Sequence, residues 1–390
     1  MITRLTRLGF AAAATVAALT LTGCVANSAS ETTDNTITVD SSANDCVLSA
    51  NEAPSGNLVF SVTNSGDQVT EFYLLGDDGL RIVGEVENIG PGITRELVVL
   101  AKPGEYFTVC KPGLSGEGVG KAAFTVTDSG TDLSFSGDVA ERIEAANANY
   151  KGYVTGQIEN LVVGTEKFAD AYIAGDDDTA RALYAPTRVF WERVETVAES
   201  FGDLDPRMDL READLEDGQE WTGWHAIEKD LWPANAEDGF AAYNQSTRES
   251  LATQLLSDTN MLHSNVQDLE FSLDQLTNGA IGLLDEVASG KVTGEEEFWS
   301  HTDLWDFQAN IDGARVLYDG VRDILTEKDA ELAATLDAEF DELQSLLDAQ
   351  KVDDGFRLYT ELSASEIRAF SDQVNALAEP LSHLTAVLVL

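Results

Sequence analysis

From residue 37 to about 128, apolar and polar positions alternate with a period of two, the mark of strands that bury one face. Leu58 to Thr63 forms such a run between Ser55-Gly56 and Asn64-Ser65-Gly66. Glu71 to Leu75 forms another and stops at Asp77-Asp78-Gly79. Leu80 to Val86, Arg95 to Leu100, Tyr106 to Cys110 and Ala122 to Val126 continue the series. Pro91-Gly92, Pro103-Gly104 and Pro112-Gly113 supply turns at roughly ten-residue spacing, which predicts a small β-sandwich over 37–130.

Asp128-Ser129-Gly130-Thr131-Asp132 breaks that pattern, and from about 140 to 390 the period is helical. Ile158, Leu161, Val162 and Phe168 open it. Pro186 fits the first turn of a helix reaching about Glu199. Asn278 to Ala288, Trp305 to Leu325, Asp329 to Ala349 and Ser363 to Ala378 are further helices. The expectation is a multidomain β plus all-α chain, with a helical bundle of about 250 residues in two packed sub-bundles.

The N-terminus reads differently. Arg4 and Arg7 precede a small, apolar stretch over 8–22, too short to span a bilayer as a mature helix. It ends in Leu21-Thr22-Gly23-Cys24, which resembles a bacterial lipobox. The expected mature chain begins at Cys24, acylated (palmitate) and held at the membrane, outside the cytoplasm, in the periplasm or at the cell surface. Residues 25–36 read as a flexible tether. A plain signal peptide with a chance cysteine is the alternative.

Charge narrows the function classes. The chain carries 69 acidic against 24 basic residues, a net of -45, which repels nucleic acid. The same field attracts cations diffusely, but a well-solvated or salt-adapted surface accounts for it equally.

More specific is Gly223-Trp224-His225-Ala226-Ile227-Glu228. An imidazole and a carboxylate at i and i+3 project from one helix face and can share one metal ion. Arg188, Glu192, Glu195 and Glu199 form a second stripe, with Val189, Trp191 and Val194 beside it. It is either a solvated face or an inward set of carboxylates of the kind that holds iron or manganese in a bundle. Asp303 and Asp306, after His301, repeat the i, i+3 spacing, with helix capping as the alternative. This donor chemistry suits iron, manganese or zinc. A His-Glu-x-x-His zinc hydrolase is excluded by Lys229, and neither a Gly-x-Ser-x-Gly elbow nor a phosphate loop is present.

Gly223-x-His225-x-x-Glu228 with Lys229 and Leu231-Trp232 resembles the signature of the imelysin-like family. Tyr184-x-x-x-Arg188 through Asp205, and Ser300 to Asn310, are similar to the same family. Glu85-Val86-Glu87-Asn88-Ile89-x-Pro91-Gly92 and Cys110 resemble the cupredoxin-like domain of EfeO-type iron-uptake lipoproteins. The resemblance covers nearly all of the mature chain. It implies two four-helix bundles, with iron (Fe2+ or Fe3+) near His225 and Glu228. It also implies a membrane iron permease and a haem-containing Dyp-type peroxidase as partners. Trp191 departs from it, standing where relatives carry tyrosine.

All four histidines lie in the helical region, so a blue-copper centre in the β-region is rejected. A Cys/Glu site, the kind the resemblance implies, would draw on Cys46, Cys110, Glu71, Glu85 and Glu87, with copper or zinc as candidates. The alternative is a Cys46–Cys110 disulfide, favoured in an oxidising compartment.

The reading that follows is an iron-binding component that catalyses nothing. His225, Glu228, Glu192, Glu195 and Asp303 are its candidate ligands. The rivals are a metal-dependent peptidase, as the family label suggests, and a surface protein-binding module.

Overall fold

The computed structural model describes residues 35–390, apart from 115, 117, 216 and 217 and the side chains of 199 and 289. The signal peptide, Cys24 and residues 25–34 of the tether lie outside the described residues.

The alternating region folds as two sheets. Strands β1 (Thr36–Ser41), β2 (Cys46–Leu48), β3 (Glu52–Pro54) and β4 (Gly56–Asn64) come first. They are followed by β5 (Thr70–Leu75), β6 (Ile82–Ile89), β7 (Thr94–Ala101), β8 (Gly104–Cys110) and β9 (Val119–Thr127). One sheet runs β2-β1-β4-β7 and the other β3-β9-β8-β5-β6. The alternation has its physical cause here: Phe60, Val62, Leu97 and Val99 of the first sheet pack on Phe72, Leu74, Phe124 and Val126 of the second. Phe60 anchors this core, with ring centroids 5.2 Å from Phe72 and 5.4 Å from Phe124. Strand β6 starts later than its apolar run predicts. The Asp78 carboxylate accepts the N–H groups of Leu80 (2.9 Å) and Arg81 (3.0 Å) and holds them in a turn.

Helices occupy the rest: α1 (Gly137–Ala174), α2 (Asp177–Glu192), α3 (Leu204–Asp209), α4 (Trp224–Leu231) and α5 (Gln245–Asn265). After them come α6 (Leu273–Ser289), α7 (Asp303–Lys328), α8 (Ala330–Asp348), α9 (Ala364–Leu381) and α10 (Leu384–Val389). In α1 the buried positions Tyr150, Val154, Ile158, Leu161, Thr165, Phe168 and Tyr172 recur every three or four residues, as a one-sided helix requires. One group packs α1, α2, α5 and the short α4 together; the other packs α6, α7, α8 and α9, and α7 joins the two. This is a β-sandwich followed by an all-α region, as the two periodicities predict.

The two parts are bonded across their boundary. The Asp274 carboxylate accepts the Leu100 N–H at 2.8 Å, and the Asn278 amide donates to the Val98 carbonyl at 2.8 Å. Arg95 pairs with Asp285.

Two expectations need correction. Pro186 lies deep inside α2, which begins earlier because Asp176 caps it, accepting the Thr179 N–H at 3.3 Å. Nor does that helix reach Glu199. It ends at Glu192, and Glu195–Phe201 is a 3-10 segment with a break at Val197. The Asn310 amide takes the Glu192 carbonyl at 3.0 Å, satisfying one of the acceptors a helix end leaves open. The four-residue stripe is therefore not one helical face.

Candidate metal centre

The motif helix α4 is buried along its whole length. Gly223 before it has φ 88°, and a Cβ there would stand 2.1 Å from the Met208 carbonyl oxygen. Glycine is thus required where the motif meets α3, and that contact seats His225 opposite Asp209.

His225 is fully buried. Its Nδ1 lies 3.2 Å from Glu228. Its Nε2 lies 3.3 Å from Asp209 and 3.5 Å from Glu296, yet has no hydrogen-bond partner. Three sets of potential ligand atoms converge: Asp209, His225 and Glu296; His225, Glu228 and Glu297; and Glu192, Glu195 and Asp209, each within 4.8 Å. His225 belongs to the first two and Asp209 links the third.

Glu228 does two jobs. One oxygen faces His225, and the other accepts the N–H groups of Trp299 (2.9 Å) and Ser300 (2.6 Å). It thereby fixes the loop that brings in Glu296 and Glu297. Asp303 stands behind that loop, accepting the Glu297 N–H at 3.1 Å, while its second oxygen has no partner.

Arg188 sits at the centre with no solvent exposure. It pairs with Glu192 and Asp209, and lies 3.6 Å from both Glu296 and Asp306. Its Nε is 2.7 Å from Glu297 but off the hydrogen-bonding direction, so that N–H has no acceptor. Both oxygens of the buried Asp306 are also without a hydrogen bond. Lys291 is the second buried cation, 3.0 Å from Glu192 and 2.5 Å from Glu195.

Eight carboxylates (Glu192, Glu195, Asp209, Glu228, Glu296, Glu297, Asp303 and Asp306) thus face two buried cations. Burial, with Glu228 beside it, raises Glu297 to about 8. Burial raises Asp303 to about 7. It also lifts Glu195 and Asp306 well above the carboxylate range, reinforced in both by the neighbouring Glu192. Burial would raise Glu296 too, but Lys291 and His225 hold it at about 2. At His225, burial and Arg188 oppose protonation, yet the surrounding carboxylates of Asp209, Glu228 and Glu296 prevail and raise its pKa. The centre retains protons because it lacks positive charge. Orphaned donor and acceptor atoms around an imidazole and carboxylates fit a cation of the iron, manganese or zinc type.

Of the expected ligands, the structure brings His225 and Glu228 together, and sets Glu192 and Glu195 beside Asp209. Asp303 lies one layer further out. Asp209, Glu296 and Glu297 were not anticipated; in so acidic a chain their only signal is the run Glu295-Glu296-Glu297 before Trp299. Trp191 has a role of its own, its indole donating to Asp209 at 2.7 Å.

In the β-region the disulfide favoured from the sequence forms, and the alternative Cys/Glu thiolate site is split. Cys46 and Cys110 are joined in a disulfide, so neither sulfur is a thiolate able to ligate. Cys110 and Phe72 are opposite each other and point into the sandwich. Glu71 and Tyr73, on alternate positions, take the other face, and Tyr73 pairs with Glu85. Glu85 and Glu87 lie near Gly282 of α6. The carboxylates therefore face the helices with the sheet between them and the sulfurs. Tyr73 donates to Glu71; burial, then the charges of Glu71, Glu85 and Glu87, raise its pKa.

Residues 146–384 match the imelysin family model (peptidase family M75). An iron uptake system component EfeO from Escherichia coli K12 is 35% identical over 376 residues, covering 96% of each chain. The namesake component from Escherichia coli O1:K1 is 37% identical over 336 residues, covering 85% of this chain and 86% of its own. A crystal structure from Parabacteroides distasonis, described as an iron-regulated protein A precursor, superposes with a TM-score of 0.50 at 15% identity. It covers 63% of this chain and 95% of its own, and speaks to the fold alone. The chain belongs to the imelysin family and is an EfeO-type protein.

Proposed function

We propose that this protein is the iron-binding component of an uptake system. It is anchored outside the cytoplasm through the lipidated Cys24, captures iron as cargo, and delivers it to a membrane iron permease beside a haem-containing Dyp-type peroxidase. The observation that carries this is the buried His225, whose two ring nitrogens face two carboxylate sets while Nε2 and both oxygens of Asp306 have no hydrogen-bond partner. The names of the relatives, iron uptake system components, support the same reading.

His225, Glu228 and Glu297 would hold one side of the cargo, and Asp209 with Glu296 the other. Protons resting on His225, Glu297 and Asp303 leave as the ion brings its charge, so capture tightens as pH rises and weakens as it falls. A mixed nitrogen and oxygen site with polar atoms left unbonded, built partly on the 290–302 loop, suits reversible loading better than a fully satisfied structural site. No helix among the described residues is long and apolar enough to cross a membrane.

The test is anaerobic Fe2+ titration of the full chain against the His225→Ala/Glu228→Ala variant. The expected result is tight binding by the wild type and loss of at least one equivalent in the variant. Equal and weak binding by both would assign iron to the acidic surface and end this reading.

A further inference from the structure

Lys291 stands in a short turn, Lys291–Thr293, between α6 and the acidic loop. It is only 3% exposed. Its ammonium bonds Glu192 and Glu195, two members of the three-carboxylate lobe completed by Asp209. Its head group sits where a cation among those oxygens would sit.

We infer that Lys291 is a displaceable internal counter-cation, its ammonium filling the Glu192/Glu195/Asp209 lobe of the empty protein and withdrawing as a metal ion enters. The inference rests on the cation-capture reading above and adds a residue that sets how tightly, and for which ions, this lobe loads.

Three observations separate Lys291 from its neighbour Arg188. First, Arg188 has carboxylates on every side and a planar, rigid head. Lys291 ends a flexible four-carbon stem whose head can move without the backbone. Second, the backbone beneath it is pinned. The Tyr359 hydroxyl donates to the Val292 carbonyl. Gly294 closes the turn at φ 78°, against the Tyr359 ring, where a Cβ would come within 2.3 Å. Motion is thus confined to the side chain. Third, the lobe is held without the lysine. The Asn310 amide donates to Glu195 at 2.7 Å and to Glu192 at 3.1 Å. Glu286 of α6 also acts on the ammonium through space.

The exchange has a selective consequence. An ion must outbid a buried ammonium for two carboxylates, so a divalent or trivalent cation displaces it and a monovalent one does not. Two positive charges crowded into one lobe repel, so removing the lysine raises metal affinity about tenfold or more.

Two experiments on the full chain test this. The first titrates Fe2+ anaerobically into wild type, Lys291→Gln and Lys291→Met. The second treats wild type with an acetylating N-hydroxysuccinimide ester, with and without Fe2+, and quantifies acetyl-Lys291 by peptide mass spectrometry. The expected outcome is tighter binding in both variants, and a Lys291 protected in the empty protein but several-fold more reactive when loaded. A structural lysine would not gain reactivity on loading. If Lys291→Met fails to fold, the labelling of wild type decides alone. Wild type that binds Fe2+ with unchanged protection of Lys291 overturns the counter-cation role and leaves capture standing. Wild type that binds no Fe2+ removes the capture reading itself.

Discussion

The sandwich and the helical region both bury a core, but of opposite kinds. Around Phe60 the sandwich interior is apolar and closed by a disulfide. Its apolar side chains gain by leaving water. Around Arg188 the helical interior holds eight carboxylates and two cations, with several polar atoms unbonded. Such a set costs more to desolvate than its internal pairing returns. The first core stabilises the molecule; the second draws on that stability to keep a charged site dry. Unfavourable burial of this kind marks a place built to receive something.

The largest effect expected from breaking this contrast is at Arg188. Arg188→Met leaves its carboxylates uncompensated and should destabilise the empty protein by about 3–5 kcal/mol. Divalent cation should restore much of the loss, which thermal melts with and without Mn2+ would reveal. A variant as stable as wild type without metal would show that the carboxylates are not a strained set.

Next in size is the disulfide, which closes a loop of sequence separation 64. Cys46→Ser/Cys110→Ser should lose about 4 kcal/mol of stability. Fe2+ affinity of the helical centre should stay unchanged, because the sulfurs face the sandwich interior. Urea unfolding and Fe2+ titration of the same variant check both halves; a coupled loss of iron binding would erase the distinction between the two cores.

The smallest effect is in pH. Glu297 and Asp303 have folded pKa values raised by burial to about 8 and about 7. Between pH 4.5 and 8 the folded state holds more protons than the unfolded chain, so stability falls as pH rises across that window. Each group adds up to about 1.4 kcal/mol per pH unit, so the slope in the empty protein should be about 2–3 kcal/mol per pH unit below pH 7, about half that above it, and should flatten when metal is bound. Urea midpoints at pH 5, 6, 7 and 8, with and without Mn2+, measure it. Glu297→Gln should remove part of the slope, whereas Phe60→Leu in the sandwich should leave it unaltered.

Much of this was legible in the chain. Alternation at Leu58–Thr63 and at Glu71–Leu75 gave strands within a residue or two, because one-faced burial imposes period two. The His225–Glu228 spacing gave a contact within a single turn of α4. The stripe through Glu192 and Glu195 misled, because its helix ends at Glu192, where Asn310 of a distant helix takes the open carbonyl. At Cys46 and Cys110 the favoured alternative, the disulfide, is the one that forms, while the placing of the nearby glutamates was not legible. Proximity along β5 and β8 does not say which face a side chain takes once a sheet separates inside from outside.

The sequence alone determined the two classes of structure and the motif helix, since these depend on neighbours within a few residues; the demand for glycine at 223 comes from the Met208 carbonyl of another helix. Tertiary structure decided which carboxylates surround His225. Asp209, Glu296, Glu297 and Asp306 come from α3, the 290–302 loop and α7. A chain with 69 acidic residues carries no local mark for the few that folding takes out of water. Burial, and with it retained protons and unpaired charge, is a property of packing among distant segments. That packing turns ordinary glutamates into a candidate site for a metal ion.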